Sequence, residues 1–244
     1  MALRDGIQTS LRAIYPARCL SCGDMVDGDF ALCGLCWRDT SFIGGAICDS
    51  CGTPLPGSAT GDTLHCDGCL SNPKPWAKGR SAILYQNTGR KMVLALKHGD
   101  RQEVARPAAL WMATAARDLI TEQTLIVPVP LHWTRMIKRR YNQSALLAKS
   151  LADHVNLPWC ADLLQRTRRT PVLDGLGRED RRAALERAIR VHPRRRSRMI
   201  GRPLLLVDDV MTSGATLAAC TEACHAAGSG PVSVLALARV AKDA

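Results

Sequence analysis

Aromatic residues make up only 4% of this 244-residue chain: five Trp, three Tyr and two Phe. Proteins that hold single-stranded nucleic acid by stacking usually offer several exposed rings, so composition gives that reading little support. Trp37, Trp76, Trp111, Trp133 and Tyr141 are the rings able to serve, and a buried Trp is the commoner case. Long apolar runs are missing too; none approaches the roughly 20 residues of a membrane span. The opening stretch, MALRDGIQTSLRAIYPARC, carries Asp5 and Arg12 and has no continuous apolar segment. It does not read as a secretory signal, and the expected location is the cytoplasm. A Walker A loop, G-x-x-x-x-G-K-[ST], is absent, which argues against a P-loop nucleotidase.

Apolar residues account for 46% of the chain, enough for a real core in one large or two smaller domains. The formal charge is +11 and unevenly spread. Gln165–Arg202 carries 13 Arg against 4 Asp or Glu, a surplus of +9, which leaves +2 for the rest. Such a stretch attracts polyanions, among them pyrophosphate compounds and nucleic acid. The plainer alternative is a solvated helix face with spare arginines. Arg194, Arg195 and Arg196 are its densest cluster and the candidate nucleic-acid contacts.

Of eleven cysteines, eight form four C-x2-C pairs: Cys19 and Cys22, Cys33 and Cys36, Cys48 and Cys51, Cys66 and Cys69. Without an export signal, that spacing favours metal over disulfide. Each pair makes a knuckle that aims two thiolates at one ion, and two knuckles complete a tetrahedral four-cysteine site. Four ligands leave no open position, so two structural Zn²⁺ ions are expected. Sequential pairing of the knuckles and an interleaved arrangement are both open. Cys160, Cys220 and Cys224 lack metal spacing and read as buried small apolar residues.

The Pro-rich tract 70–79 separates two regions, a double zinc ribbon over 15–72 and a second domain over 76–244. Leu3, Ile7, Leu11 and Ile14 suggest a short helix ahead of Pro16. In the second domain the pattern predicts strands at Arg80–Tyr85, Leu125–Val127, Ala161–Gln165 and Val232–Ala238. Helices are predicted at Gly89–His98, at Gln102–Ile120 with Asp100 as its cap, at Trp133–Val155 and at Arg178–Arg190. Alternating strands and helices indicate an α/β fold with a largely parallel sheet and flanking helices.

The most informative stretch is Leu204–Leu217, LLLVDDVMTSGATL. Four apolar residues lead into Asp208 and Asp209, then Thr212-Ser213-Gly214-Ala215-Thr216, then a helical pattern to Ala227. This reads as a buried strand, an acidic strand tip, a tight loop and a helix N-terminus. Such a loop offers unpaired N–H groups to a phosphate. The carboxylates can accept from sugar hydroxyls, directly or through hydrated Mg²⁺. Together they suit a ribose 5-phosphate. The bland alternative is a core strand and a capped helix with two solvated aspartates. The stretch closely resembles the phosphoribosyl pyrophosphate (PRPP) signature of type I phosphoribosyltransferases.

Adding VPVPLHWTRMIKRRYNQSALLAKSLA (Val127–Ala152) and the cysteine block, the chain from Cys19 onward resembles the ComF/GntX family, a double zinc ribbon joined to a type I phosphoribosyltransferase domain. The family more often has RGFNQ where this chain has Arg139-Arg140-Tyr141-Asn142-Gln143. The resemblance implies that Thr212, Ser213, Gly214, Ala215 and Thr216 hold the 5-phosphate and that Asp208 and Asp209 bind the ribose hydroxyls. It implies a pyrophosphate loop at Pro128–His132, including Pro130, Leu131 and His132. It implies a flexible hood in Arg166–Arg182, with Arg169 and Arg178 as candidate pyrophosphate contacts, and Mg²⁺ bound with PRPP. It also links the chain to natural transformation, with single-stranded DNA and the DNA-uptake machinery as candidate partners. Two functions follow as expectations: a phosphoribosyltransferase acting on an acceptor nucleophile, and a non-catalytic DNA-handling protein that keeps the fold.

Overall fold

The computed structural model describes residues 15–58, 61–98, 101–131, 140–167 and 188–241. Six strands are defined among them: β1 (Gly79–Leu84), β2 (Leu125–Pro128), β3 (Leu164–Arg166), β4 (Ile189–Val191), β5 (Leu204–Met211) and β6 (Val232–Arg239). The helices are α1 (Gly34–Arg38), α2 (Asp67–Leu70), α3 (Asn87–His98), α4 (Ala105–Ala115), α5 (Gln143–Val155) and α6 (Ala215–Ala226). None is long and apolar enough to cross a membrane.

Four strands form one parallel sheet in the order β1-β6-β5-β2, and β3 pairs with β4 in a separate antiparallel hairpin. The expected α/β fold is therefore observed. Side chains alternate across each strand, and both faces are covered, which is why LLLV and VLAL are nearly unbroken apolar runs. One face sets Ile126, Leu205, Val207 and Leu235 against α3, α4 and α5 through Val93, Leu96, Met112, Leu147 and Leu151. The other sets Leu125, Val127, Leu206 and Val234 against α6, the hairpin and the second cysteine ribbon.

The ribbons are joined to this sheet at defined points. The segment Ser41–Ile43 runs antiparallel along the free edge of β1: Ile43 N–H donates to Ala82 O at 3.0 Å and Leu84 N–H to Ser41 O at 2.8 Å. An otherwise open sheet edge is thereby paired. Asp39 Oδ2 accepts from Thr88 N–H at 3.0 Å and from Thr88 Oγ1 at 2.7 Å, so a ribbon residue satisfies an orphan donor of the first turn of α3. Arg80, buried at the start of β1, pairs with Asp49 and Asp118, both at 2.6 Å.

Several sequence expectations shift. Among the described residues the α5 helix begins at Gln143, where Arg140 takes a left-handed φ of +64° and Asn142 caps the helix by accepting from Ser144 N–H; the earlier part of the predicted helix, Trp133–Arg139, lies outside them. The predicted helix Gln102–Ile120 is a 3-10 turn, Gln102–Val104, followed by α4. At the end of the predicted helix Arg178–Arg190, Ile189 and Arg190 are strand. Pairing with β3 buries Ile189 against the hairpin core and turns Arg190 outward, so tertiary pairing overrides the helical pattern. The N-terminal helix and the Asp100 cap lie outside the described residues.

Candidate functional site

The knuckles pair sequentially. Cys19, Cys22, Cys33 and Cys36 form one set and Cys48, Cys51, Cys66 and Cys69 the other, each with its sulfurs within 4.8 Å of one another. Zinc–sulfur bonds of about 2.3 Å in a tetrahedron require sulfurs about 3.8 Å apart. Cys22 and Cys33 stand at 3.6 Å, and Cys51 and Cys66 at 3.7 Å. The donor set therefore fits two structural zinc ions. In the second set the neighbouring Cys48 thiol pulls Cys51 down to about 3, and the same proximity pushes Cys48 up. Thiols this close do not ionise independently, and a divalent cation is what lets all four do so. His65 stands aside, its Nδ1 3.1 Å from Ser50 Oγ. Cys160, Cys220 and Cys224 are buried, and burial raises all three, Cys224 to about 12.

The acidic stretch sits at the carboxyl end of the sheet. On its β2 side, β5 is paired only as far as Val207, where Pro128 is its partner and Val129 N–H donates to Val207 O. On its β6 side pairing continues to Met211. The strand is therefore longer than the apolar run suggests, and Asp208 and Asp209 lie where β2 has already ended. This is the crevice at strand ends in which open α/β sheets place ligands. Buried Pro130 and half-buried Leu131 follow β2 beside it, while His132, Arg169 and Arg178 lie outside the described residues.

Two residues that sequence reasoning missed hold the acidic pair. Ser144, in the first turn of α5, donates from Oγ to Asp208 Oδ1 at 2.9 Å. Lys97, in the last turn of α3, sets Nζ 3.4 Å from Asp209 Oδ1. Asp208 Oδ1 also accepts from Asp209 N–H at 2.9 Å. Burial, followed by the adjacent Asp209 charge, pushes Asp208 up to about 7, while Ser144 and Lys97 pull the other way. The tract Arg140–Gln143 braces this corner: Asn142 Nδ2 donates to Val129 O at 3.0 Å and Tyr141 OH to Leu96 O at 2.6 Å. The run of hydrogen-bonding residues Tyr141–Ser144 was the available signal, but its targets are distant in sequence.

The loop Thr212–Gly214 follows directly. Gly214 has φ +78°, and a Cβ there would lie 2.8 Å from Trp76 Cη2, so glycine is required twice over. Ala215 and Thr216 begin α6, whose first N–H groups have no partner within the helix. Ser213 Oγ accepts from Ala215 N–H at 3.4 Å. Arg239, at the end of β6, donates to the carbonyls of Met211, Thr212 and Val240 and pins the loop from behind.

The arginine cluster is elsewhere. Arg194, Arg195 and Arg196 occupy a 3-10 turn, Pro193–Arg198, that precedes the amino end of β5. Asp208 lies four residues along β5 from Leu204, which puts roughly 13 Å of strand between that rim and the acidic pair. Arg195 Nε bonds both oxygens of Asp162 at 2.9 Å, and Arg196 Nε donates to Ala227 O at 3.0 Å. Of the candidate stacking rings, Trp76 is buried and Trp111 and Tyr141 are half-buried. Trp37 is 51% exposed and packs on Phe42 at 4.6 Å between centroids. Trp133 lies outside the described residues.

Residues 10–72 match the double zinc ribbon domain family. Over 219 residues the chain is 30% identical to the DNA utilization protein YhgH of Escherichia coli K12, covering 87% of this chain and 92% of that protein. This chain belongs to the ComF/GntX family. A second relative, competence protein F of Haemophilus influenzae, is 28% identical over 228 residues, 91% of this chain and 96% of that one. Among solved structures, the adenine phosphoribosyltransferase of Thermoanaerobacter pseudethanolicus overlaps 59% of this chain and 83% of that chain at 11% identity and a TM-score of 0.36. The parallel sheet and the membership in the ComF/GntX family, rather than that weak overlap, support the phosphoribosyltransferase-like fold.

Proposed function

We propose that this ComF/GntX protein binds PRPP and transfers its phosphoribosyl group to an acceptor nucleophile. The observation that carries the reading is one continuous piece of backbone: an acidic pair beyond the end of β2, then a left-handed glycine, then the open N-terminus of α6. The loop N–H groups and the Thr212, Ser213 and Thr216 hydroxyls suit the 5-phosphate. Asp208 and Asp209 suit the ribose 2- and 3-hydroxyls, which donate to ionised carboxylates. Pro130, Leu131 and His132 are the proposed pyrophosphate loop, and Arg169 and Arg178 the proposed hood contacts.

In the transfer, the bond from ribose C1 to the pyrophosphate oxygen breaks and a bond from C1 to the acceptor forms. The acceptor loses a proton and pyrophosphate leaves. This chain's residues hold the ribose by its hydroxyls and 5-phosphate while positive charge grows at C1, and the nearby carboxylates favour that charge. The chemistry Mg²⁺ supplies when bound is neutralisation of the pyrophosphate; Asp208 and Asp209 are the residues that would hold it, through ribose oxygens or its water shell. Calorimetric titration of PRPP into zinc-loaded protein, with and without Mg²⁺, tests the reading: saturable binding that needs Mg²⁺ is expected, and no binding in either condition overturns it.

A second reading has its own support. Relatives bear the names DNA utilization protein and competence protein F, and exposed Arg194 and Arg196 lie on the rim opposite the acidic pair. Under this reading the protein handles single-stranded DNA along that rim, whether or not it also binds PRPP.

A further inference from the structure

The tract joining the second ribbon to β1 makes contacts that a simple linker would not. Trp76 is 4% exposed. Its Nε1 donates to Ser50 O at 2.5 Å, and Ser50 lies inside the second ribbon's first knuckle, between Cys48 and Cys51. The far edge of the same indole meets the phosphate loop, because its Cη2 is the atom 2.8 Å from where a Cβ on Gly214 would stand. Flanking residues follow the same path. Lys74 Nζ lies 3.5 Å from Ser213 O, and Pro75 O lies 3.3 Å from His225 Nε2 on α6. Ser50 is held from the other side as well: a Cβ on Gly79 would meet Ser50 O at 2.5 Å. Cys48, Cys51 and Cys69 share one core with Trp76, Leu217 and Cys220.

We infer that Trp76 is a positioning residue for the phosphate loop and that the second cysteine site, through Ser50 and this indole, sets the loop's conformation. The physical case is one of rigidity. A left-handed glycine next to three small residues has little to hold it locally. Here one side of that loop is an indole whose N–H is anchored to a knuckle backbone, and the knuckle keeps its shape only while its thiolates share an ion. Among the described residues the first ribbon has no such link; it packs on α3, the 3-10 turn and α4 through Leu20, Met92, Val104 and Trp111. Loss of the second ion should therefore loosen Thr212–Leu217, and loss of the first should not. Linkage works in both directions, so a ligand that orders the loop should slow release of the second zinc. The loop's functional weight rests on the phosphoribosyl reading above; the coupling itself does not.

Amide hydrogen exchange on the full zinc-loaded chain tests this. Trp76→Phe removes the N–H and the outer edge of the indole. Exchange at the amide that closes the loop, Ala218 N–H, which donates to Gly214 O at 2.9 Å, should quicken about tenfold, the equivalent of one lost hydrogen bond, while β5 and β6 stay protected. Unchanged exchange at the loop would overturn the inference. Should Trp76→Phe unfold, with exchange rising throughout the sheet, a second pair decides. Cys66→Ser should loosen the loop and Cys22→Ser should not; equal effects, or none, count against the coupling. In the ligand arm, PRPP should slow release of one zinc of the two to a chelator in the parent protein and lose that effect in Trp76→Phe. If the parent protein binds no PRPP, the phosphoribosyl reading falls, and the exchange arm still decides the coupling.

Discussion

Lys97 Nζ stands 3.4 Å from Asp209 Oδ1, so the last turn of α3 delivers a cation to the acidic pair of β5. Two adjacent carboxylates at a half-closed strand end repel each other, and one ammonium offsets part of that repulsion. Asp208 itself is pushed up to about 7, by burial and then by the Asp209 charge.

A pH dependence follows. The folded state keeps a proton on Asp208 that the unfolded chain releases near pH 4. This group therefore stabilises the fold at low pH, and its contribution is lost as pH rises from about 4 to about 7. Urea unfolding should show Asp208→Asn gaining stability relative to the parent protein at pH 8 compared with pH 5. Ribose hydroxyls bond more strongly to an ionised acceptor, so PRPP affinity should rise with pH through about 7. Lys97→Met should move that midpoint upward and Lys97→Arg should restore it. Asp208→Asn with Asp209→Asn should abolish Mg²⁺-dependent PRPP binding without loss of circular-dichroism signal. A flat affinity profile in the parent protein, or unchanged affinity in the double variant, would count against these roles.

Arg140 occupies φ +64° at the position where the family more often has glycine. Left-handed backbone costs a residue with a Cβ about 1–2 kcal/mol, and glycine gives back part of that through its freer unfolded chain. Arg140→Gly should raise the unfolding free energy by about 0.5–1 kcal/mol. A loss of stability would mean that the arginine's own contacts outweigh the strain.

Two zinc ions per chain should copurify in reducing, chelator-free buffer, one for each sequential set of four cysteines. Elemental analysis well under one zinc per chain would sink this. Cys19→Ser should remove a single ion and disturb the first ribbon more than the sheet, because a ribbon has little core without its metal.

If the amino-end rim binds single-stranded DNA, affinity should fall steeply with salt, with a log–log slope of about −0.7 for each phosphate contacted. Replacing Arg194, Arg195 and Arg196 with Ala should weaken DNA binding, flatten that slope and leave PRPP binding nearly unchanged. Arg195 is already engaged with Asp162, so the change in slope should reflect about two contacts rather than three. Joint loss of PRPP and DNA binding would place the cluster in the fold or the pocket instead. No DNA binding by the parent protein at low salt would leave the arginines as solvated surface.

Local chemistry made much of this molecule readable from its residues. A C-x2-C knuckle, an apolar run ending in Asp208-Asp209, and a glycine before a helix each carry their meaning within a few positions, because the turn, the burial and the unpaired N–H groups are local properties. The sequence by itself therefore determined the two metal sites in kind, the parallel α/β class and the stretch that forms the crevice. Tertiary structure alone decided which knuckles share an ion, since both pairings satisfy the spacing. It also decided the partners of the acidic pair and the loop: Ser144 is 64 positions from Asp208, and Lys74 is 139 from Ser213. It converted Ile189 and Arg190 to strand through pairing with β3, extended β5 through pairing with β6, and put the arginine cluster at the opposite end of that strand from the crevice. Each of these depends on packing between elements distant in the chain, where the free energy of burial and pairing, not local preference, selects the conformation.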